Sequence, residues 1–217
     1  SLQYTYIPEL GNVISSMTSE GVMQKFSYHP ATGELLQAEE GDIINRNVWT
    51  QSGLLQEEAI ARHAETRRTA HAHTLSGAPL WYTDITGRRT AYEYDEHGRL
   101  SGITDAALSV SMEYDALSRL STRTTIDTAS SHTLTVALSY DDFSREISRS
   151  IRDSTGTTLT LEQTWLKNSL LERRVTRRDS VILKDEQYGY DCRNRLISYT
   201  VSGSEPPPDA YGHPLAG

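Results

Sequence analysis

The nonapeptide Tyr92-Glu93-Tyr94-Asp95-Glu96-His97-Gly98-Arg99-Leu100 recurs in degenerate form from one end of the chain to the other. Recurrence of this kind restricts the fold more than any single residue does, because each copy must adopt a similar local structure and pack on its neighbours. Tyr92 and Tyr94 are two apart, so on an extended strand they share a face. Asp95 can hydrogen-bond its own backbone to start a turn, Gly98 can take a positive φ without a Cβ clash, and Leu100 opens a return strand. One unit is therefore expected to be a β-hairpin.

The nearest copies are Met112 to Leu120, carrying Tyr114, Asp115, Arg119 and Leu120, and Tyr188 to Leu196, carrying Tyr190, Asp191, Arg195 and Leu196. A slightly weaker copy runs from Leu138 to Arg145 through Tyr140 and Asp141. Trp165 to Leu171 keeps the aromatic residue and the closing Leu but loses Asp and Arg, and Trp49 to Leu55 is its twin. His73 to Gly77, Tyr28 to Gly33 and Tyr4 to Asn12 are outer copies. With Tyr6, Tyr28, Trp49, His73, Tyr94, Tyr114, Tyr140, Trp165 and Tyr190 as anchors, successive spacings run from 20 to 26 residues. Chance Tyr-Asp pairs in a Tyr-rich chain would not bring Arg and Leu along in phase.

The copies also share a second turn. Leu80 to Thr124 is the best-preserved stretch, and there Thr83-Asp84-Ile85-Thr86-Gly87-Arg88-Arg89-Thr90 leads into the core motif. Turns at Asp84–Gly87 and Asp95–Gly98 make strands alternate in direction, so the expected fold is all-β: an antiparallel meander of hairpins. A sheet of a dozen or more strands should curve strongly. Leu134, Val136 and Leu138 alternate as in a half-buried strand. Leu54 to Thr69 is ambiguous, since Glu57 to Glu65 has good helix propensity. Its phase in the repeat and its twin, Leu170 to Val181, favour strand over the helical alternative. Residues 1–201 are expected to form one array and residues 202–217, with Pro206-Pro207-Pro208, a linker-like tail where proline stops ladder formation.

Composition is needed here only to ask whether such a chain can fold. Leu, Ile, Val and Phe number 44 of 217, near the level at which disorder becomes a concern, but twelve Tyr and abundant Thr suit a half-buried pleated surface. A formal net charge of −8 argues against nucleic-acid or anionic-membrane partners. The one dense basic cluster, Arg173-Arg174 with Arg177-Arg178, splits between two strand faces and fits a solvated strand. A single cysteine, Cys192, excludes an internal disulfide framework. No apolar run approaches the length of a membrane helix and no signal peptide opens the chain. The chain begins without Met inside a repeat and ends beyond a proline run, as a piece of a longer protein would.

The motif Tyr-x-Tyr-Asp-x-x-Gly-Arg-Leu, joined to Thr-Asp-x-x-Gly-Arg-x-Thr, resembles the YD-repeat or RHS-repeat family. The resemblance covers roughly Tyr4 to Val201, with its specific core in Leu80–Leu120 and Tyr188–Leu196. With the Ser-Tyr-Thr-Val-Ser-Gly run after Leu196, it is similar to the C component of bacterial Tc-type insecticidal toxin complexes and related polymorphic toxins. That resemblance implies a wall segment of a β-sheet spiral shell around a C-terminal toxic domain. It also implies partners in the remainder of the shell, its toxin cargo and other toxin-complex subunits. The setting would be a secreted or delivered complex assembled in the bacterial cytoplasm. The family's self-cleaving, aspartate-bearing domain has no counterpart here, so protease or toxin activity does not carry over.

Motifs for chemistry are weak. His71 and His73 share a strand face at metal-ligand spacing but lack a third ligand, and Asp141-Asp142 alternates faces. Gly-x-Ser-x-Gly, a Gly-rich phosphate loop and His-Glu-x-x-His are missing from the sequence. The expectation is no enzyme, no cofactor and no metal, with Tyr92, Tyr94, Asp95, Gly98, Arg99, Leu100 and their counterparts acting as structural repeat positions. The alternative is a surface carbohydrate- or protein-binding module that uses exposed aromatic residues. Unpaired edges would further favour a homodimer.

Overall fold

Turn chemistry repeats at fixed intervals along the chain, and strands fill the spaces between the turns. The computed structural model describes residues 2–203, so the proline-rich part of the expected tail, from Ser204 on, lies outside the described residues. Two compact units divide the chain, Ser1–Gly98 with Ile103–Ala106 and Arg99–Gly102 with Ala107–Gly217.

In the first unit the strands are β1 (Leu2–Ile7), β2 (Val13–Ser19), β3 (Val22–Tyr28), β4 (Leu35–Glu40), β5 (Ile43–Trp49), β6 (Leu55–Arg62), β7 (Glu65–His73), β8 (Pro79–Thr83) and β9 (Arg89–Tyr94). Each pairs antiparallel with the next. Strand β10 (Leu100–Thr104) contributes residues to both units. In the second unit β11 (Leu108–Tyr114), β12 (Leu120–Asp127), β13 (Thr133–Tyr140), β14 (Glu146–Asp153), β15 (Thr158–Trp165), β16 (Leu171–Arg178), β17 (Val181–Tyr190) and β18 (Leu196–Ser202) pair in the same consecutive way. The fold is the antiparallel meander of hairpins that the repeat implies. A 3-10 turn at Pro8–Leu10 is the one helical element among the described residues.

The ambiguous stretch from Leu54 to Thr69 is strand. A tight turn at His63, with φ +54°, separates β6 from β7. Helix propensity loses there because non-local partners outweigh it: Asn45 donates to Glu58, Arg68 pairs with Glu57, and the His63 ring meets Asp42 at 2.8 Å.

Burial is shallow in both units. Among the described residues the buried apolar side chains are Ala59, 8% exposed, and Val175, 5% exposed, and the one buried charged side chain is Glu186, 2% exposed. Folded domains usually bury a face of sheet against a second layer. Here many strand residues are only half-buried, so cross-strand pairs and backbone ladders carry a larger share of the stability.

Irregularity in the ladders is itself periodic. In eight hairpins the register shifts at the anchor, between Thr5 and Tyr6, Ser27 and Tyr28, Val48 and Trp49, Ala72 and His73, Glu113 and Tyr114, Ser139 and Tyr140, Thr164 and Trp165, and Gly189 and Tyr190. A bulge re-aims the side chain beside it. Six of these anchor rings, Tyr28, Trp49, Tyr114, Tyr140, Trp165 and Tyr190, reach the preceding return strand.

Candidate functional site

The residues that recur in phase meet at the seam between one hairpin and the next. At the turn, Asp115 Oδ1 accepts the backbone N–H groups of Leu117 and Arg119, each at 2.9 Å, while its Oδ2 accepts Arg119 Nε at 2.7 Å. Asp141 holds Phe143 and Arg145 in the same way, and Asp191 holds Arg193 and Arg195. Asp95 Oδ1 accepts the His97 N–H at 2.9 Å. The Arg119 backbone N–H and guanidinium hold Asp115 below its usual carboxylate range against an opposing push from desolvation, and the Arg195 pair does the same for Asp191. For Asp141, desolvation pushes upward and Arg145 more than offsets it.

Copies without Asp use other acceptors. Thr50 and Thr74 offer Oγ1 to the N–H of Leu54 and Ala78, each at 3.0 Å, and His29 offers Nδ1 to the N–H of Thr32 at 3.3 Å. The fourth turn position is left-handed throughout: Gly98 has φ +76°, and Ser118, Ser144, Ser169 and Asn194 have +62°, +62°, +63° and +63°. A three-residue loop closed by one left-handed residue is a common hairpin solution.

From each turn the contacts run forward. The Arg99 guanidinium lies 4.5 Å from the Tyr114 ring centre and donates to Ser118 Oγ at 2.9 Å. Arg119 lies 4.7 Å from the Tyr140 ring centre and donates to the Asp141 carbonyl and Ser144 Oγ, both at 3.1 Å. Arg145 reaches the Leu166 carbonyl at 2.8 Å and lies 5.8 Å from the Trp165 ring centre. Arg119 and Arg145 thus each close their own turn, lie over the next anchor and fix the next turn.

Contacts in the opposite direction come from the anchors. Tyr28, Tyr94, Tyr114, Tyr140 and Tyr190 donate their hydroxyls to the carbonyls of Ile14, Pro79, Leu100, Leu120 and Leu171 at 2.7–2.9 Å. Trp49 and Trp165 donate indole N–H to the carbonyls of Leu35 and Glu146, both at 2.8 Å. The acceptor is the carbonyl beside the opening of the preceding return strand in all seven. His73 breaks the pattern, since its Nδ1 is buried without a partner. Its ring stacks 6.3 Å from His71, which packs 5.0 Å from Tyr82. No group of three or more metal-ligating side chains exists among the described residues.

Sequence reasoning proposed the recurring Asp, Gly, Arg and Leu as structural repeat positions but missed the forward arginine contact and the anchor donation. One signal was present: the anchors are Tyr, Trp or His, each with a polar tip, while Phe26 and Phe143 lie elsewhere. Tyr92, two residues before the anchor Tyr94, is half-buried in β9.

A second cluster lies across β16, β17 and β18. Glu186 accepts Arg174 Nε at 2.7 Å and Arg174 Nη2 at 3.1 Å, the Tyr199 hydroxyl at 2.8 Å, and the Lys184 ammonium at 3.0 Å. Burial alone would raise its pKa, but Arg174, Tyr199 and Lys184 outweigh burial and bring it down to about 2. Three of the four arginines of β16 are ion-paired: Arg174 with Glu186, Arg173 with Asp185 at 2.6 Å and Arg177 with Glu162 at 3.3 Å.

Residues 81–109 match the family described as RHS Repeat. No curated protein sequence matches the chain. Among solved structures, the crystal structure of TcdB2-TccC3-TEV is similar at 16% identity with a TM-score of 0.67, covering 91% of this chain and 12% of that one. The crystal structure of TcdB2-TccC3 without its hypervariable C-terminal region gives 16% identity and a TM-score of 0.65, with the same coverage of 91% and 12%. TcdB2-TccC3 itself gives 0.54 at 16% identity, over 90% of this chain and 13% of that one. The chain spans about an eighth of the structures it matches, and the likeness is one of fold.

Proposed function

We propose that this RHS-repeat chain is a structural wall segment of a shell that encloses a C-terminal toxin domain for delivery. The observation that supports this reading is the seam. The recurring Asp, Arg and anchor aromatics direct their polar groups to their own turn or to a neighbouring repeat, which makes each hairpin a tile locked to the next. On this reading residues 1–201 form one array and residues 202–217 a connecting tail. Its partners are the remainder of the shell, the toxin cargo and other subunits of a toxin complex. The chain itself carries no reaction and no cofactor, and its setting is a secreted or delivered complex.

A chimera tests the proposal. Residues 2–203 replace the matched segment of the TcdB2-TccC3 chain, and the particle is examined by electron microscopy and by protease challenge of its C-terminal region. A closed particle with a protease-resistant C-terminal region is expected. A collapsed or protease-open particle, with the chain itself folded, overturns the wall role. The binding-module alternative requires free aromatic faces, whereas Arg99 and Arg119 each lie over a face of the next anchor, Tyr114 and Tyr140. A glycan array on the purified chain separates the two readings, because a wall segment shows no saturable ligand.

A further inference from the structure

The joints at Trp49 and Trp165 are built alike. Each indole N–H donates at 2.8 Å to the carbonyl that opens the preceding return strand, Leu35 in one joint and Glu146 in the other. The residues two before the anchors, Asn47 and Gln163, donate side-chain amides to the same two carbonyls at 3.1 and 3.2 Å. The difference is the group over the ring. Arg145, immediately before Glu146, lies 5.8 Å from the Trp165 ring centre and donates to the Leu166 carbonyl at 2.8 Å. The residue immediately before Leu35 is Glu34. Of the chain's three tryptophans, Trp81 has Arg89 at 4.4 Å and Trp165 has Arg145, whereas no cation lies over Trp49 among the described residues.

Beside Trp49 is an open pocket of about 430 Å³, with Glu34, Leu36, Trp49 and Thr50 in its wall and no lysine or arginine. Glu34 is half-buried, and its carboxylate has neither a donor nor a cation among the described residues. That carboxylate reaches the following turn, as Arg145 does, with Oε1 3.4 Å from the point a Cβ on Gly53 would occupy. The Thr50 carbonyl matches that of Leu166: one accepts the Gly53 N–H and the other the Ser169 N–H, both at 3.0 Å. Its second lone pair is the one that Leu166 offers to Arg145. A half-buried carboxylate, a ring face and a carbonyl all attract positive charge, and here nothing supplies it.

We propose that this pocket is a binding site for the arginine side chain of a partner polypeptide. The guanidinium lies over the Trp49 face, pairs with the Glu34 carboxylate and donates to the Thr50 carbonyl, while Leu36 gives its methylene stem an apolar wall. Lysine fits less well, because a planar guanidinium stacks on an indole while its N–H groups donate in plane. At Trp165 the chain brings its own cation, and at Trp49 it brings the carboxylate and leaves the cation to the partner. The site is built from one joint alone, so it is independent of the wall role.

Nuclear magnetic resonance of the isotope-labelled chain during titration with Nα-acetylarginine amide tests it. The readout is the three indole N–H signals, with that of Trp49 assigned from its loss in Trp49→Tyr. The Trp49 signal should move to saturation, while those of Trp81 and Trp165, already beside an arginine, stay in place. Nα-acetylcitrulline amide, which keeps the shape and lacks the charge, should bind at least about tenfold more weakly, and Nα-acetyllysine amide should also bind more weakly than arginine. Glu34→Gln should weaken arginine binding about tenfold. Glu34→Arg should abolish it, because its own guanidinium takes the place of the ligand. Circular dichroism checks that both variants fold. A Trp49 signal that does not saturate overturns the proposal. So does citrulline or lysine binding as tight as that of arginine to the wild-type chain, and so does undiminished arginine binding in either folded Glu34 variant.

Discussion

Ser118, Ser144, Ser169 and Asn194 occupy the left-handed position that Gly98 fills in the best-preserved repeat. Backbone strain at a non-glycine residue is tolerated when surrounding contacts over-determine it, and Ser118 Oγ is such a contact because it accepts Arg99. Gly98→Val places a β-branched residue at φ +76° and should destabilise by on the order of 1–3 kcal/mol. Ser118→Gly relieves strain and loses that hydrogen bond, so its melting point should stay near the wild type or rise slightly. Thermal melts of the two variants measure both effects. The turn Asp and Gly were legible in the sequence because their chemistry is local. The serines at the same position are marked by the repeat phase alone, since serine's own preference does not call for a positive φ. Glu186 was hidden, because its partners Arg174 and Tyr199 are 12 and 13 residues away. Its folded pKa of about 2 lies below its ordinary 4.5, so its contribution to stability is present above about pH 4.5 and is lost as pH falls toward 2. Glu186→Gln should cost on the order of 1–3 kcal/mol near neutral pH and flatten the acid limb of a stability-versus-pH curve. A limb as steep as wild type would show that Glu186 does not set it.

At the level of strands and hairpins, alternation and turn spacing were enough to assign the meander, including Leu54–Thr69, where phase prevailed over helix propensity. Strand pairing was legible because consecutive hairpins leave few other topologies. The bulge beside each anchor was not, because a register shift of one residue leaves no local mark in composition. Its effect is testable at Tyr140, whose hydroxyl reaches the Leu120 carbonyl at 2.9 Å. Tyr140→Phe keeps the ring beneath Arg119 and removes only the donor, so urea unfolding should show a loss of about 0.5–1.5 kcal/mol. Tyr140→Trp, which imitates Trp165, should recover part of it. A tyrosine-to-phenylalanine change without measurable cost would mean that the seam depends on ring packing alone.

Across the whole molecule, stability is spread thinly, because few of the described side chains in either unit are buried. Amide exchange should therefore lack a strongly protected block, with even the strands that carry Ala59, Val175 and Glu186 exchanging through local opening. A slowly exchanging central group of strands would contradict this. The seam also has a consequence for how such chains change in length. The joints built on Arg119 and Arg145 have a direction, with an arginine reaching forward and an aromatic donor reaching back, and each spans two strands. Gain or loss of a whole two-strand period leaves every remaining joint able to form. Gain of a single strand reverses chain direction at the next joint and sets two like halves against each other. Length in a lineage built this way is expected to change in steps of two strands, so a tally of strands among relatives would show even increments.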